Sequence, residues 1–127
     1  MKAEKKTKII YVEDDQDTIN LVSLIFSRHG YDLIGITESQ KGLELIEHEK
    51  PDIVMLDLML PEMDGWEVFR KLKKNPKTAK IPVIIITAKA QPIDKVLGLQ
   101  IAKVDDYICK PFTPEEILAS VNKILQK

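Results

Sequence analysis

The chain has 127 residues, 44% of them hydrophobic, and a formal net charge of -1 at pH 7. We expect one domain over residues 1–127 with its core at about residues 8–126, and the near-neutral charge gives no overall electrostatic reason to bind nucleic acid or an acidic membrane surface. No apolar stretch approaches the ~20 residues of a membrane span, and the single cysteine, Cys109, excludes an internal disulfide, so we expect a cytoplasmic protein.

Five short apolar runs along the chain predict β-strands. Four of them, Ile9–Val12, Ile53–Leu56, Val83–Ile86 and Tyr107–Cys109, end at Glu13-Asp14-Asp15, Asp57, Thr87 and Lys110, respectively. Unbroken apolar runs are typical of strands buried on both faces, as in a parallel sheet covered by helices. Ligands bind at the carboxyl ends of the strands in such sheets. We therefore expect the acids, the threonine hydroxyl and the lysine to converge in one crevice.

Helical patterns alternate with these runs, which predicts right-handed crossovers and an α/β sandwich. The predicted helices run from about Asp17 to His29, from near Ser39 to Pro51, from Trp66 to before Asn75, from Pro92 to Ala102, and from Thr113 onwards. The last helix has the clearest start, because Thr113 can cap it, Pro114 suits its first position and Glu116 completes a capping box. Asp15 suits the start of the first helix better than a metal site.

The polar residues at the strand ends favour phosphoryl chemistry. An aspartate such as Asp57 can attack a phosphoryl group to form an acyl phosphate, but the two anions repel each other unless a divalent cation bridges them. Glu13, Asp14 and Asp57 would form an all-oxygen cluster of the kind Mg²⁺ accepts, with Mn²⁺ as an acceptable substitute. The Lys110 ammonium could pair with the phosphoryl oxygens, and the Thr87 hydroxyl could donate to one of them.

The stretches from Asp57 to Gly65 and from Asp106 to Phe112 carry a more specific signal. Together with the acidic pair, they resemble the receiver domain of two-component response regulators, and the resemblance covers essentially the whole chain. It implies a three-layer, flavodoxin-like α/β sandwich, in which a five-stranded parallel sheet of order 2-1-3-4-5 is covered by five helices.

The resemblance also implies a role for each site residue. Asp57 is the expected phosphoacceptor, Asp14 the direct metal ligand, Glu13 a ligand acting largely through water, and the Met59 backbone carbonyl the third protein ligand. Met59 and Lys89 lack a carboxylate or amide to orient an attacking water, which predicts a long-lived phosphorylated state.

The fourth and fifth strands carry the expected switch residues. Thr87 and Lys110 match the phosphate-sensing hydroxyl and the phosphate-pairing lysine of the family. Tyr107 matches the aromatic that turns inward on activation, and Lys110-Pro111 matches a peptide that is cis in the family.

The implied function is a phosphoacceptor switch, which catalyses only its own phosphorylation and dephosphorylation. The expected donor is a sensor histidine kinase or a histidine-phosphotransfer protein, and the expected recipient of the signal is a downstream effector that reads a changed surface around the fourth and fifth helices. We expect a monomer or weak dimer, with no direct nucleic-acid contact and no membrane insertion.

The chain departs from the family at two places. Family members usually have Ala-Gly-Ala where this chain has Ala102-Lys103-Val104, and a left-handed Lys103 would cost on the order of 1 kcal/mol. The last helix, around Leu118–Asn122, lacks the arginine that joins a dimer salt-bridge network in relatives fused to winged-helix domains.

Two other functions fit parts of the pattern. The first is an aspartate-nucleophile phosphatase of the haloacid dehalogenase kind, but such enzymes carry a second acid two residues after the nucleophile, where this chain has Met59. The second is a pseudo-receiver that only scaffolds a partner, against which the complete set of acids, threonine and lysine argues.

Overall fold

The apolar runs form the strands of one parallel sheet in the computed structural model, which describes residues 6–88 and 91–126. In chain order the strands are β1 Thr7–Val12, β2 Tyr31–Ile36, β3 Ile53–Leu56, β4 Val83–Thr87 and β5 Asp106–Cys109. Their order in the sheet is β2-β1-β3-β4-β5, and every neighbouring pair is parallel. The predicted strand order is confirmed, and the carboxyl ends of β1, β3, β4 and β5 therefore meet along one edge.

Helices connect the strands in the predicted alternation. They are α1 Gln16–Ser27, α2 Ser39–Glu49, α3 Gly65–Lys74, α4 Pro92–Val96 with a π-helical continuation at Leu97–Ala102, and α5 Pro114–Leu125. The predicted caps are present, because the Asp15 side chain accepts from the Asp17 N–H and Thr113 forms a capping box with Glu116. In the described residues, none of these helices is long and apolar enough to cross a membrane.

The sheet lies between two layers of helices, each with its own apolar cluster. One cluster joins alternate strand residues to α2 and α3 through Ile46, Val68, Phe69 and Leu72. The other joins the opposite face to α1 and α5 through Ile19, Val22, Phe26, Ile117 and Val121. All four residues of β3 are fully buried, as expected for the central strand of a sheet covered on both faces.

The fourth helix covers the predicted residues, Pro92 to Ala102, but it has two parts. Pro92–Val96 is α-helical, and Leu97–Ala102 is π-helical. The spacing of apolar residues indicates a helix without distinguishing the two hydrogen-bond patterns. The segment ends at Lys103, whose φ of 62° is the left-handed conformation that the missing glycine would adopt more easily.

Candidate functional site

Asp57 lies immediately after β3 and is only 3% exposed. Its backbone N–H donates to the Val12 carbonyl at 3.0 Å, which ties it to the end of β1. One carboxylate oxygen, Oδ1, accepts the Met59 N–H at 2.9 Å. The strand end and the following loop therefore hold this carboxylate in a defined orientation.

Three carboxylates meet at this edge of the sheet. Oxygens of Glu13, Asp14 and Asp57 all lie within 4.8 Å of one another. Glu13 and Asp57 are buried, whereas the Asp14 side chain is exposed. An all-oxygen set that leaves room for several waters is what Mg²⁺ prefers in proteins, so this cluster fits a Mg²⁺ ion.

Lys110 links two of these acids. Its ammonium donates to Asp57 Oδ2 at 2.8 Å and also to Glu13 Oε1. Burial lowers the pKa of the Lys110 ammonium, but the hydrogen bonds to Asp57 and Glu13 outweigh burial, so this pKa is raised above its usual value. The backbone N–H of Lys110 donates to the Thr87 carbonyl at 2.9 Å. The Lys110-Pro111 peptide is cis, as the resemblance implies.

The Glu13 carboxylate is 1% exposed and both of its oxygens accept hydrogen bonds. Besides Lys110, its donors are the Tyr11 hydroxyl, which reaches Oε1 at 3.1 Å, and the Asp15 N–H, which reaches Oε2 at 3.0 Å. Burial raises the pKa of the Glu13 carboxyl, against the hydrogen bonds from Lys110 and Asp15. Burial also raises the pKa of Tyr11 far above its usual value, so its hydroxyl stays a donor.

Sequence reasoning assigned Tyr11 only to an apolar strand and missed this contact. A signal was available in the spacing. Residues two apart on a strand point to the same face of the sheet, and Tyr11 stands two positions before Glu13.

Thr87 and Tyr107, the expected switch residues, lie on neighbouring strands. Thr87 is fully buried at the end of β4, and Tyr107 in β5 is 2% exposed. The backbone of Thr87 is in register with Cys109, two residues after Tyr107. The Tyr107 ring packs against Gly98, where an added Cβ would lie 2.6 Å from ring atom Cδ2. The tyrosine therefore occupies an inward position beside the π-helical segment.

An open groove of about 670 Å³ lies beside the acidic cluster. It is lined by Asp14, Leu58, Met59, Leu60, Pro61, Asp64, Trp66 and Arg70. Met59 is 57% exposed, and Lys89, the other residue expected to control the lifetime, lies outside the described residues. Trp66 packs edge-on against Phe69 at 6.0 Å between ring centroids and also forms part of the groove wall.

Comparisons with known proteins agree with this geometry. A model of the response regulator receiver domain matches residues 9–122. The chain is 40% identical over 120 residues to the alkaline phosphatase synthesis transcriptional regulatory protein PhoP of Bacillus subtilis, and 40% identical over 120 residues to the DNA-binding dual master transcriptional regulator RpaA of Synechocystis. Each match covers 94% of this chain and 49% of the relative, so the chain spans about half the length of these curated relatives.

A solved structure gives the same result. The BeF3-activated N-terminal receiver domain of Klebsiella pneumoniae RstA aligns with a TM-score of 0.85 at 31% identity. That alignment covers 94% of this chain and 99% of the other.

Proposed function

The chain belongs to the family of response regulator receiver domains, and on that premise we propose that Asp57 accepts a phosphoryl group in a two-component signalling switch. The observation that carries the proposal is the setting of the Asp57 carboxylate. It is buried at a strand end, has two further carboxylates within 4.8 Å, and accepts from the Lys110 ammonium at 2.8 Å.

The reaction we propose transfers a phosphoryl group from a histidine nitrogen of the donor to a carboxylate oxygen of Asp57. An Asp57 oxygen attacks the phosphorus of a phosphohistidine, the P–N bond breaks, and the imidazole leaves with the bonding electron pair and takes up a proton. The products are an acyl phosphate on Asp57 and a free histidine on the donor. We propose that the Lys110 ammonium, which already contacts Asp57, pairs with the phosphoryl oxygens and that the Thr87 hydroxyl donates to one of them.

We propose that Mg²⁺ or Mn²⁺ binds at the acidic cluster, where it supplies positive charge between the carboxylate and the incoming phosphoryl group. Asp14 and Asp57 would hold the ion directly, Glu13 largely through water, and the Met59 carbonyl would complete the protein ligands. The exposure of the Asp14 side chain, beside the buried Glu13, supports this division.

The output of the switch is a changed surface around α4 and α5. Tyr107 is 2% exposed, and its ring lies against Gly98 of the π-helical segment, which supports a link between this residue and the surface. Apolar side chains of α4 and of the π-helical segment face solvent, with Ile93 58% and Ile101 71% exposed. A shift of the tyrosine would therefore rearrange a surface available to an effector.

The proposed donor is a sensor histidine kinase or a histidine-phosphotransfer protein. We propose that the donor docks on α1, which exposes Leu21 by 57% and Leu24 by 51%. We treat residues 1–127 as one receiver domain that acts as a monomer or weak dimer in the cytoplasm and does not itself contact nucleic acid. The two curated relatives are named as transcriptional regulators, and the chain spans about half of each.

The experiment that tests this function uses a small phosphodonor. We expect acetyl phosphate with Mg²⁺ to add one acid-labile phosphoryl group per chain, and Asp57→Asn to abolish the addition. Asp32→Asn, which changes an exposed acid of β2, is the matched control and should leave the stoichiometry at one.

Three results would contradict the proposal. Full phosphorylation of a folded Asp57→Asn variant would place the label elsewhere. No phosphorylation of the parent chain would favour a scaffolding pseudo-receiver, and repeated hydrolysis of a free phosphate ester would favour a phosphatase.

A further inference from the structure

The Tyr11 hydroxyl makes one hydrogen bond that the proposed phosphoryl transfer does not explain. Tyr11 is fully buried in β1, and its ring belongs to the apolar cluster against α1 and α5. Phenylalanine would fill the same space without a polar atom. The hydroxyl nevertheless reaches Glu13 Oε1 at 3.1 Å, so it acts on a carboxylate of the acidic cluster from inside the sheet.

The donors to Glu13 differ in how freely they can move. The Asp15 N–H is part of the backbone that starts α1, and the Tyr11 ring is enclosed in the core. Lys110, by contrast, reaches Glu13 at the end of a long side chain and divides its ammonium between Glu13 and Asp57. A lysine side chain has several rotatable bonds, so its charged ammonium can move to a new partner.

These differences matter once Asp57 carries a phosphoryl group. The phosphoryl oxygens then compete for the Lys110 ammonium, and Oε1 of Glu13 loses its charged donor. A buried carboxylate without hydrogen-bond donors is unfavourable by several kcal/mol. The Tyr11 hydroxyl, held in place by the core around its ring, still donates to Oε1 of Glu13 in that state.

We propose that Tyr11 is a positioning residue, which holds the Glu13 carboxylate in place for the divalent cation both in the free chain and when the phosphoryl group engages Lys110. The inference rests on the proposed function, because it assigns the acidic cluster to a cation. Tyr11 acts on the cation only through Glu13, which it orients from the core side.

The test compares two tyrosine hydroxyls. Tyr11→Phe removes the donor to Glu13, and Tyr31→Phe removes a hydroxyl that donates to Asn122 on α5. Mg²⁺ affinity is measured by calorimetry, and the Mg²⁺ concentration for half-maximal phosphorylation by acetyl phosphate is measured separately. We expect Tyr11→Phe to weaken Mg²⁺ binding by about tenfold, the effect of losing one hydrogen bond to a charged group, and to raise the half-maximal Mg²⁺ concentration by a similar factor. Tyr31→Phe should change neither value.

A combined substitution separates positioning from a structural role. If Tyr11 acts through Glu13, Tyr11→Phe should have little further effect on Mg²⁺ affinity in a Glu13→Gln background, because the carboxylate it orients is already absent. Urea unfolding of each variant gives the stability for comparison.

The possible outcomes are distinct. Unchanged Mg²⁺ affinity in Tyr11→Phe, with or without a loss of stability, would overturn the proposal, as would an equal loss in the Glu13→Gln background. If the parent chain binds Mg²⁺ but takes no phosphoryl group, the proposed function fails while the comparison of affinities still decides the role of Tyr11. A parent chain that binds no Mg²⁺ overturns both.

Discussion

The strand ends that carry the acids and the segment from Pro92 to Ala102 are packed in opposite ways. Every residue of β3 is fully buried, and Asp57 follows it directly. In α4 no residue is buried, and in the π-helical continuation Gly98 is the buried residue. Side chains of this segment that could form a core instead face solvent, with Leu97 47% and Val96 48% exposed.

Under the proposed function, this difference in packing separates the groups that react from the surface that responds. Groups that must meet a phosphoryl oxygen within a few tenths of an ångström benefit from strands that cannot slide, because a one-residue slip would turn every side chain to the other face. A surface that must change between two states benefits from few buried contacts, since such regions open at low free energy. The same substitution, glycine to alanine, can test this contrast in both regions.

Gly65→Ala should have the largest effect. Gly65 begins α3, and a Cβ there would lie 2.3 Å from the Asp57 carbonyl oxygen and 2.6 Å from Leu58 Cα. These are backbone atoms of the loop that holds Asp57, the proposed phosphoacceptor, so they cannot rotate away. We expect the free energy of unfolding, measured with urea, to fall by about 3 kcal/mol. A loss below about 1 kcal/mol would show that this loop yields more easily than its packing indicates.

Gly98→Ala should change stability much less. Its Cβ would meet the Tyr107 ring, at 2.6 Å from Cδ2, and a side chain can move to another rotamer. Alanine also favours a helical backbone over glycine by about 1 kcal/mol, which offsets part of the strain. We expect the unfolding free energy to stay within about 1 kcal/mol of the parent value, with Tyr107 displaced from its buried position.

The pKa of Tyr107 reports that displacement. Burial raises this pKa to about 12, because removing water disfavours the phenolate. Exposing the ring should lower the pKa towards the ordinary value of about 10, measured by NMR of tyrosine labelled at Cζ. A pKa that stays near 12, combined with a loss of stability as large as that of Gly65→Ala, would mean that the two regions are packed alike.

The contrast also explains which features could be predicted from the sequence. Strands buried on both faces leave continuous apolar runs, so the ends of β1 and β3, and with them Glu13 and Asp57, follow from the positions where those runs stop. The acidic cluster follows from the same reasoning, because parallel strands bring their carboxyl ends to one edge.

Other features depend on packing that the pattern does not record. The π-helical turn at Leu97–Ala102 retains apolar residues at spacings that also suit an α-helix. The hydroxyl of Tyr11 looks like one more strand residue until the fold places it beside a buried carboxylate. The sequence predicts strain at Lys103 only if this residue is left-handed. In the structure it is left-handed, with a φ of 62°.

The smallest predicted effect concerns the contact between β5 and α5. Ser120 is 4% exposed, and its hydroxyl donates to Asp106 Oδ2 at 2.6 Å. Burial would raise the pKa of the Asp106 carboxyl, but hydrogen bonds from Ser120 and from the Tyr107 N–H outweigh burial and lower it. A lowered pKa in the folded state stabilises the protein above the unfolded pKa of about 3.9, and this stabilisation is lost as the pH falls through the folded value.

Ser120→Ala should therefore lower the free energy of unfolding by about 1 kcal/mol at neutral pH and by less at about pH 3, where Asp106 becomes protonated in the unfolded chain. Urea unfolding at the two pH values measures both quantities. Ser27→Ala is the matched control, because the Ser27 hydroxyl donates to the Leu24 carbonyl, which does not titrate, and its effect should be the same at both pH values. An equal loss for Ser120→Ala at both pH values would show that the serine stabilises the junction by packing rather than by its hydrogen bond to the Asp106 carboxylate.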